Sequence, residues 1–190
     1  MILNRVIPFA HQLLTTVVHP GDIAIDATVG NGNDTLLLAN LVGINGKVYG
    51  FDIQEEAIIR TTEKLRAKGL YSQINLIHSG HEHLQNYIPP NEYEKITAAI
   101  FNLGYLPSGD HNIVTKPQTT ITAVSNLLEI MPAGGLIILV VYHGHPEGKT
   151  EKKALLQFAK QIDQKNAHVL KYEFINQIND PPFIIAIEKR

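Results

Sequence analysis

Residues 22–35 read DIAIDATVGNGNDT, an apolar run that meets an acid, turns on a Gly-x-Gly and then opens an Asn-Asp-Thr stretch. Gly30 and Gly32 permit a tight strand-to-helix turn and a close backbone approach to a ligand. Asn33 or Asp34 can cap the helix that follows. The next strand-like run, KVYGFD (47–52), closes on Asp52, 20 residues after Gly32. An acid there can accept hydrogen bonds from both hydroxyls of an adenosine ribose. Strand, glycine turn, helix and terminal acid together predict a parallel α/β unit that holds an adenosine-containing ligand.

The same alternation runs through most of the chain. INLIH (74–78), ITAAIFN (96–102) and GLIILVVYH (135–143) are further short, apolar, strand-like runs. Helical patterns fall between them at 34–42, 54–69 and 119–131, and PFAHQLLTTVV (8–18) reads as a helix covering the sheet. Apolar character along whole strands implies burial on both faces. The tail differs. A charged helix (147–164) leads to HVLKYEFINQ (168–177), a short Asn-Asp-Pro-Pro link and FIIAIEKR (183–190), read as an antiparallel pair at one side of the sheet. The expected fold is therefore a doubly wound, Rossmann-like α/β arrangement. Its mostly parallel seven-stranded sheet ends in an antiparallel C-terminal strand pair, within one domain spanning 1–190.

Composition narrows the function. A net charge of -2 over 190 residues gives no global support for nucleic-acid binding, so a polyanion would need local patches. The N-terminus lacks the pattern of a secretory leader, and no apolar run approaches the ~20 residues of a membrane span. A cytoplasmic protein without membrane contact is expected. The chain has no cysteine, which removes thiolate metal sites and cysteine nucleophiles together.

The glycine turn also discriminates among adenosine ligands. A dinucleotide fingerprint places a third glycine where this chain has Thr35, and here an acid, Asp26, opens the loop. S-adenosylmethionine carries an ammonium and no pyrophosphate, so it suits both departures. HSGHEHL (78–84) follows the third strand, where Ser79, Gly80 and His81 can reach an adenine edge. His78, His81 and His83 could be a metal cluster, but they lie on an irregular turn with Glu82 the nearby carboxylate, and no metal is expected.

Taken together, DATVGNGNDT, FDIQ, HSGHEHL, FNLGYLPSGDH and YHGHPEGK resemble the class I S-adenosylmethionine-dependent methyltransferases. More narrowly, the chain resembles the small bacterial family labelled rRNA methylases, the YtqB/MnmM-like enzymes, over nearly its whole length. Thr28 stands where the wider superfamily usually has glycine, and it suits the narrower family. The resemblance implies methyl transfer to the amino group of a 5-aminomethyl-uridine, often 2-thiolated, at the tRNA wobble position. The implied partner is thus a tRNA anticodon stem-loop. The candidate cofactor-binding residues are Asp26, Thr28, Gly30, Asn31, Gly32, Asn33, Asp34, Thr35, Asp52, Ile53, Gln54, Ser79, Gly80, His81 and Asn102.

The exit of the fourth strand carries the candidate chemistry. Asn102-Leu103-Gly104-Tyr105 has the spacing of the Asn-Pro-Pro-Tyr motif of many amino-group methyltransferases. There the carboxamide and a following carbonyl accept from the target nitrogen, and the aromatic stacks on the base. Leu-Gly replaces Pro-Pro here, with Leu106 and Pro107 continuing the turn. His143 and His145 leave the fifth strand on the same rim and are read either as substrate contacts or as loop caps. Lys149 and Lys152 are candidate phosphate contacts. Arg60, Lys64, Arg66 and Lys68 read as a solvated helix face. A homodimer could join basic patches that one subunit cannot. Without cysteine, the covalent route to pyrimidine carbon 5 is closed, which favours a nitrogen or oxygen acceptor. The competing readings are an rRNA or other N-methyltransferase of the same fold, a nicotinamide-dependent oxidoreductase, disfavoured by Thr35, and a non-catalytic RNA-binding module, disfavoured by the intact glycine loop and Asp52.

Overall fold

A computed structural model describes residues 2–104, 115–144 and 146–190. Strands β1 (Ile23–Asp26), β2 (Lys47–Asp52), β3 (Ile74–His78), β4 (Ile96–Leu103), β5 (Leu136–Val141), β6 (Ala167–Tyr172) and β7 (Phe183–Lys189) form one sheet in the order 3-2-1-4-5-7-6. Neighbours from β3 to β5 pair in parallel, whereas β7 runs antiparallel to both β5 and β6. The helices are α1 (Val6–Val17), α2 (Asn33–Val42), α3 (Glu55–Ala67), α4 (Pro117–Ile130) and α5 (Pro146–Gln161). This is the doubly wound, mostly parallel sheet with an antiparallel C-terminal pair that the alternation predicts.

Each strand serves two cores because successive side chains point to opposite faces. Ile25, Phe51, Phe101 and Leu139 pack with Val124 and Leu127 of α4 and Leu155 of α5. Ala24, Val48, Ile100 and Val140 pack with Leu14 of α1, Leu38 and Val42 of α2 and Leu65 of α3. Burying each large side chain is worth about 1.5–3 kcal/mol. The two layers together hold β1 and β4 rigidly side by side. Their carboxyl ends are where a doubly wound sheet opens its crevice.

Three boundaries differ from the sequence expectations. Helix α1 starts at Val6, two residues before Pro8, because proline is tolerated in a first helical turn that has no N–H partner to lose. The β3–β4 connection holds two 3-10 stretches, His81–Asn86 and Pro90–Lys95. Strand β6 stops at Tyr172 rather than running to residue 177, which lengthens the link to β7. Tyr172 pairs with Ile184, so two residues further on the ladder would meet Pro182, which has no N–H to give. No helix among the described residues is long and apolar enough to cross a membrane.

Gly32 joins the crevice to the helical layer. It holds φ +69°, and a Cβ there would lie 2.6 Å from both Cγ2 and Oγ1 of Thr61 on α3. Gly32→Ala is therefore expected to destabilise the protein by about 2–4 kcal/mol, from overpacking plus left-handed strain. Adding Thr61→Ala should recover the overpacking part. Urea unfolding of the two single variants and the double variant measures this, and strict additivity would show that the glycine and Thr61 do not compete for space.

Candidate active site

A cavity of about 960 Å³ opens over the carboxyl ends of β1, β2, β4 and β5. Of the sequence-predicted residues it gathers Thr28, Gly30, Asn31, Asn33, Asp34, Asp52, Ile53, Gln54, Ser79, Gly80, His81, Asn102, Leu103, Gly104 and His143 along its wall. Asp26, Gly32 and Thr35 are absent from that wall, as are Lys149 and Lys152. Tyr105, Leu106, Pro107 and His145 lie outside the described residues. Ile7 and His11 of α1, Lys116, Thr119, Tyr142 and Asp180 also line the cavity, and none of them is among the candidate site residues read from the sequence.

The first turn is held by the second strand and by α3. Asp52 accepts from the Gly30 N–H at 2.8 Å and the Gln54 N–H at 2.9 Å. Arg60 donates to Asn31 Oδ1 at 2.7 Å, and Lys64 Nζ donates to Asn31 O at 3.0 Å and Asn33 Oδ1 at 2.6 Å. Two of the four basic residues expected to form a solvated face thus brace the glycine turn instead.

Asp26 sits beneath the turn rather than on the cavity wall. It is fully buried, accepting from Thr35 Oγ1 at 2.6 Å and from the Thr28 N–H at 3.2 Å. A sealed carboxyl cannot meet a ligand ammonium directly. Burial, followed by the charge of Asp34, pushes its pKa up to about 7. Of the two acids in this loop, Asp34 is the one that lines the cavity.

At the exit of β4, the Asn102 N–H donates to Thr28 Oγ1 at 2.7 Å. Asn102 Nδ2 donates to Asp34 Oδ2, and the other oxygen of that carboxylate accepts from His11 Nε2 at 2.5 Å. Its hydrogen bond to Asp34 raises the His11 pKa, with burial opposing the shift. The backbone of the turn is differently committed. Leu103 O accepts from the Tyr142 N–H and Gly104 O from the Thr115 N–H, both at 3.1 Å. The Leu103 side chain is in the core, and Gly104 sits at φ +155°, which no proline ring can reach. Leu-Gly therefore builds a different turn from Pro-Pro, and its carbonyls already hold partners.

The three histidines near β3 and its exit go separate ways. His78 contacts the carbonyl of Ile53 at 3.0 Å, and His83 lies 3.7 Å from Glu82 on the surface. His81 is buried, with Nδ1 2.9 Å from the carbonyl of Ala27. Burial lowers its pKa, so the ring is neutral, Nδ1 carries the proton and Nε2 presents a lone pair. That Nε2 is buried without a hydrogen-bond partner. Among the described residues no group of three such side chains could share a metal ion.

On the opposite rim His143 is buried, 3.3 Å from Lys152 Nζ and 3.7 Å from Asp180. Burial and the Lys152 charge lower its pKa, leaving a neutral acceptor for the ammonium. Lys152 opens onto a second cavity of about 350 Å³ that shares His143 and Asp180 with the first. Lys149 pairs with Asp180 at 3.2 Å.

Fold and crevice define a class I-type methyltransferase, and comparison with known proteins agrees. The family model described as "Putative rRNA methylase" matches residues 48–188. A chloroplastic tRNA (mnm(5)s(2)U34)-methyltransferase of Arabidopsis thaliana is 35% identical over 188 residues, covering 95% of this chain and 68% of that one. A crystal structure from Clostridium thermocellum, called a "putative rRNA-methylase", is 45% identical with a TM-score of 0.96, each chain covered in full. A "putative methyltransferase" from Streptococcus mutans, solved with S-adenosylhomocysteine, is 44% identical with a TM-score of 0.89, again with both chains fully covered. The chain belongs to the rRNA methylase family. It is a methyltransferase whose cofactor is S-adenosylmethionine.

The buried acid makes a pH-dependent prediction. A carboxyl whose folded pKa exceeds its unfolded value loses stability as pH rises from about 4 to about 7, and the loss persists above that. Asp26→Asn has no charge to bury. Its melting temperature relative to wild type should improve by roughly 3 °C or more between about pH 4.5 and about pH 8. Scanning calorimetry at both pH values tests this, and a constant or shrinking difference would show that Asp26 ionises freely in the folded protein.

Proposed function

We propose that the protein methylates the amino group of a 5-aminomethyl-uridine, 2-thiolated or not, at the wobble position of tRNA, giving the 5-methylaminomethyl product. The observation that carries the reading is Asn102, whose carboxamide stands on the cavity wall with its NH2 end spent on Asp34. Its oxygen is left to accept from an incoming amine. The name of the Arabidopsis relative supports the substrate class, and the lack of cysteine supports a nitrogen acceptor.

The residues present suit the cofactor. Asp52 has lone pairs beyond its two backbone contacts for ribose hydroxyls. The unpartnered lone pair of His81 Nε2 suits a donor such as an exocyclic amino group of adenine, with Ser79 and Gly80 beside it. Gly30, Asn31 and the 52–54 segment complete that half of the wall. When bound, S-adenosylmethionine supplies an electrophilic methyl group on its sulfonium.

The chain's own work is alignment. An aliphatic amine attacks only as the neutral form, so its ammonium must give up a proton before the transfer. Asn102 Oδ1 accepts one N–H and so points the nitrogen lone pair, while the walls exclude competing water. Lys116 at the cavity, together with Lys149 and Lys152 on the His143 rim, offers positive charge to the phosphates of an anticodon stem-loop. His143, Tyr105, Leu106, Pro107 and His145 complete the proposed substrate side. The whole chain, 1–190, acts as one domain in the cytoplasm.

Nucleoside mass spectrometry on tRNA carrying the unmethylated aminomethyl group should show a gain of one methyl with protein and donor. Asn102→Ala should slow that gain about 100-fold while S-adenosylhomocysteine binding, by titration calorimetry, changes less than about threefold. Asp52→Ala should show the reverse emphasis, weakening that binding about tenfold or more. No methyl gain with wild type would refute the substrate, and full activity in Asn102→Ala would refute the role of Asn102.

A further inference from the structure

We propose that His11, on the helix preceding the sheet, is a positioning residue for methyl transfer that acts through Asp34 on Asn102. The proposal rests on the reading of Asn102 as the amine's acceptor. The three side chains form one line: His11 Nε2 to Asp34 Oδ1 at 2.5 Å, then Asp34 Oδ2 to Asn102 Nδ2. Each carboxylate oxygen thus has its own donor.

An amide can present either end, and its two rotations differ little in shape. A carboxylate accepts only, so Asp34 admits the NH2 end and leaves Oδ1 for the substrate. That selection works only while the carboxylate itself is held, since an unanchored one turns about its last torsion. His11 is the anchor. The Asn102 main chain is fixed separately, its N–H donating to Thr28 Oγ1, so only the side-chain torsions remain to be set.

The anchor is itself rigid. Ala10 and Leu14, which flank His11 along α1, are both fully buried, and Thr15 Oγ1 donates to His11 O at 2.8 Å. The side chains of His11 and Asp34 are 33% and 12% exposed, so the pair is part-buried and water reaches it mainly from the His11 side. Asp34 lies in the first turn of α2, where the helix end favours an acid. The hydrogen bond to Asp34 raises the His11 pKa, which favours a proton on Nε2.

The test compares His11→Ala, His11→Gln, Asn102→Ala and the double variant His11→Ala/Asn102→Ala. Glutamine can return an N–H near the position of Nε2. In the 1H–15N spectrum of the whole protein, the Asn102 carboxamide pair, assigned by its loss in Asn102→Ala, should be widely split. The splitting should collapse in His11→Ala and persist in His11→Gln. This readout needs no substrate. In turnover, His11→Ala should lower kcat about tenfold with KM for tRNA and S-adenosylhomocysteine affinity within about twofold. His11→Gln should recover most of that loss, and in the Asn102→Ala background His11→Ala should add less than twofold. An unchanged Asn102 signal in His11→Ala overturns the proposal. So does a full tenfold loss added on top of Asn102→Ala. Wild-type turnover by Asn102→Ala would instead overturn the acceptor reading while the spectrum still decides the role of His11.

Discussion

The hydrogen bond from Asn102 to Asp34 ties the exit of β4 to the first turn of α2, two elements 68 residues apart in the chain. Bonds to a charged group are worth about 1.5–3 kcal/mol, and this one is part-buried. Its second effect matters more. Because Asp34 can only accept, the bond decides which end of the carboxamide faces the crevice. The rest of the local structure keeps those two elements in reach: Thr28 fixes the main chain of Asn102, Thr35 secures α2 to Asp26, and Gly32 seats the turn against Thr61.

Two acids of the same loop end in opposite environments. Asp26 is sealed beneath the turn and gains protons easily, whereas Asp34 meets the cavity and is paired with His11. One sequence motif thus separates a structural carboxyl from one that orients a neighbour, by depth of burial and by the partners each side chain meets. The cations follow the same division. Arg60 and Lys64 brace the turn from outside, so positive charge supports the loop without lining the cofactor half of the cavity.

The sheet was legible because its strands are buried on both faces, which leaves unbroken apolar runs between turn residues. The glycine turn and Asp52 were legible because both sit at strand ends, where local spacing carries the signal. The end of β6 was not, since the alternation of HVLKYEFINQ continues past Tyr172 while its pairing partner gives out at Pro182. His11 was hidden for a different reason. It lies beside the buried stripe of α1, and its partner is 23 residues away on another element, so no periodicity marks it. A polar residue bordering such a stripe is the one trace the sequence offered. Arg60 and Lys64 read as a solvated face because their acceptors belong to a loop that only the fold brings near.

The turn after Asn102 shows how a departure from a familiar motif can be a different solution. A proline pair fixes φ near -65° and leaves rigid carbonyls free to accept. Here Gly104 takes φ +155°, lies 3.4 Å (by its absent Cβ) from Tyr142 Cβ, and lets the carbonyls of Leu103 and Gly104 join β5 and the 115 segment. In the proposed mechanism acceptor duty therefore rests on the Asn102 side chain without a backbone carbonyl beside it. Two coplanar carbonyl-type acceptors suit an amino group conjugated to a ring, whose N–H directions are fixed. The proposed nitrogen sits instead on a rotatable methylene, so its N–H bonds can turn to meet one acceptor. What such a site needs is one oxygen held in one orientation, and that is what Asp34 imposes on Asn102.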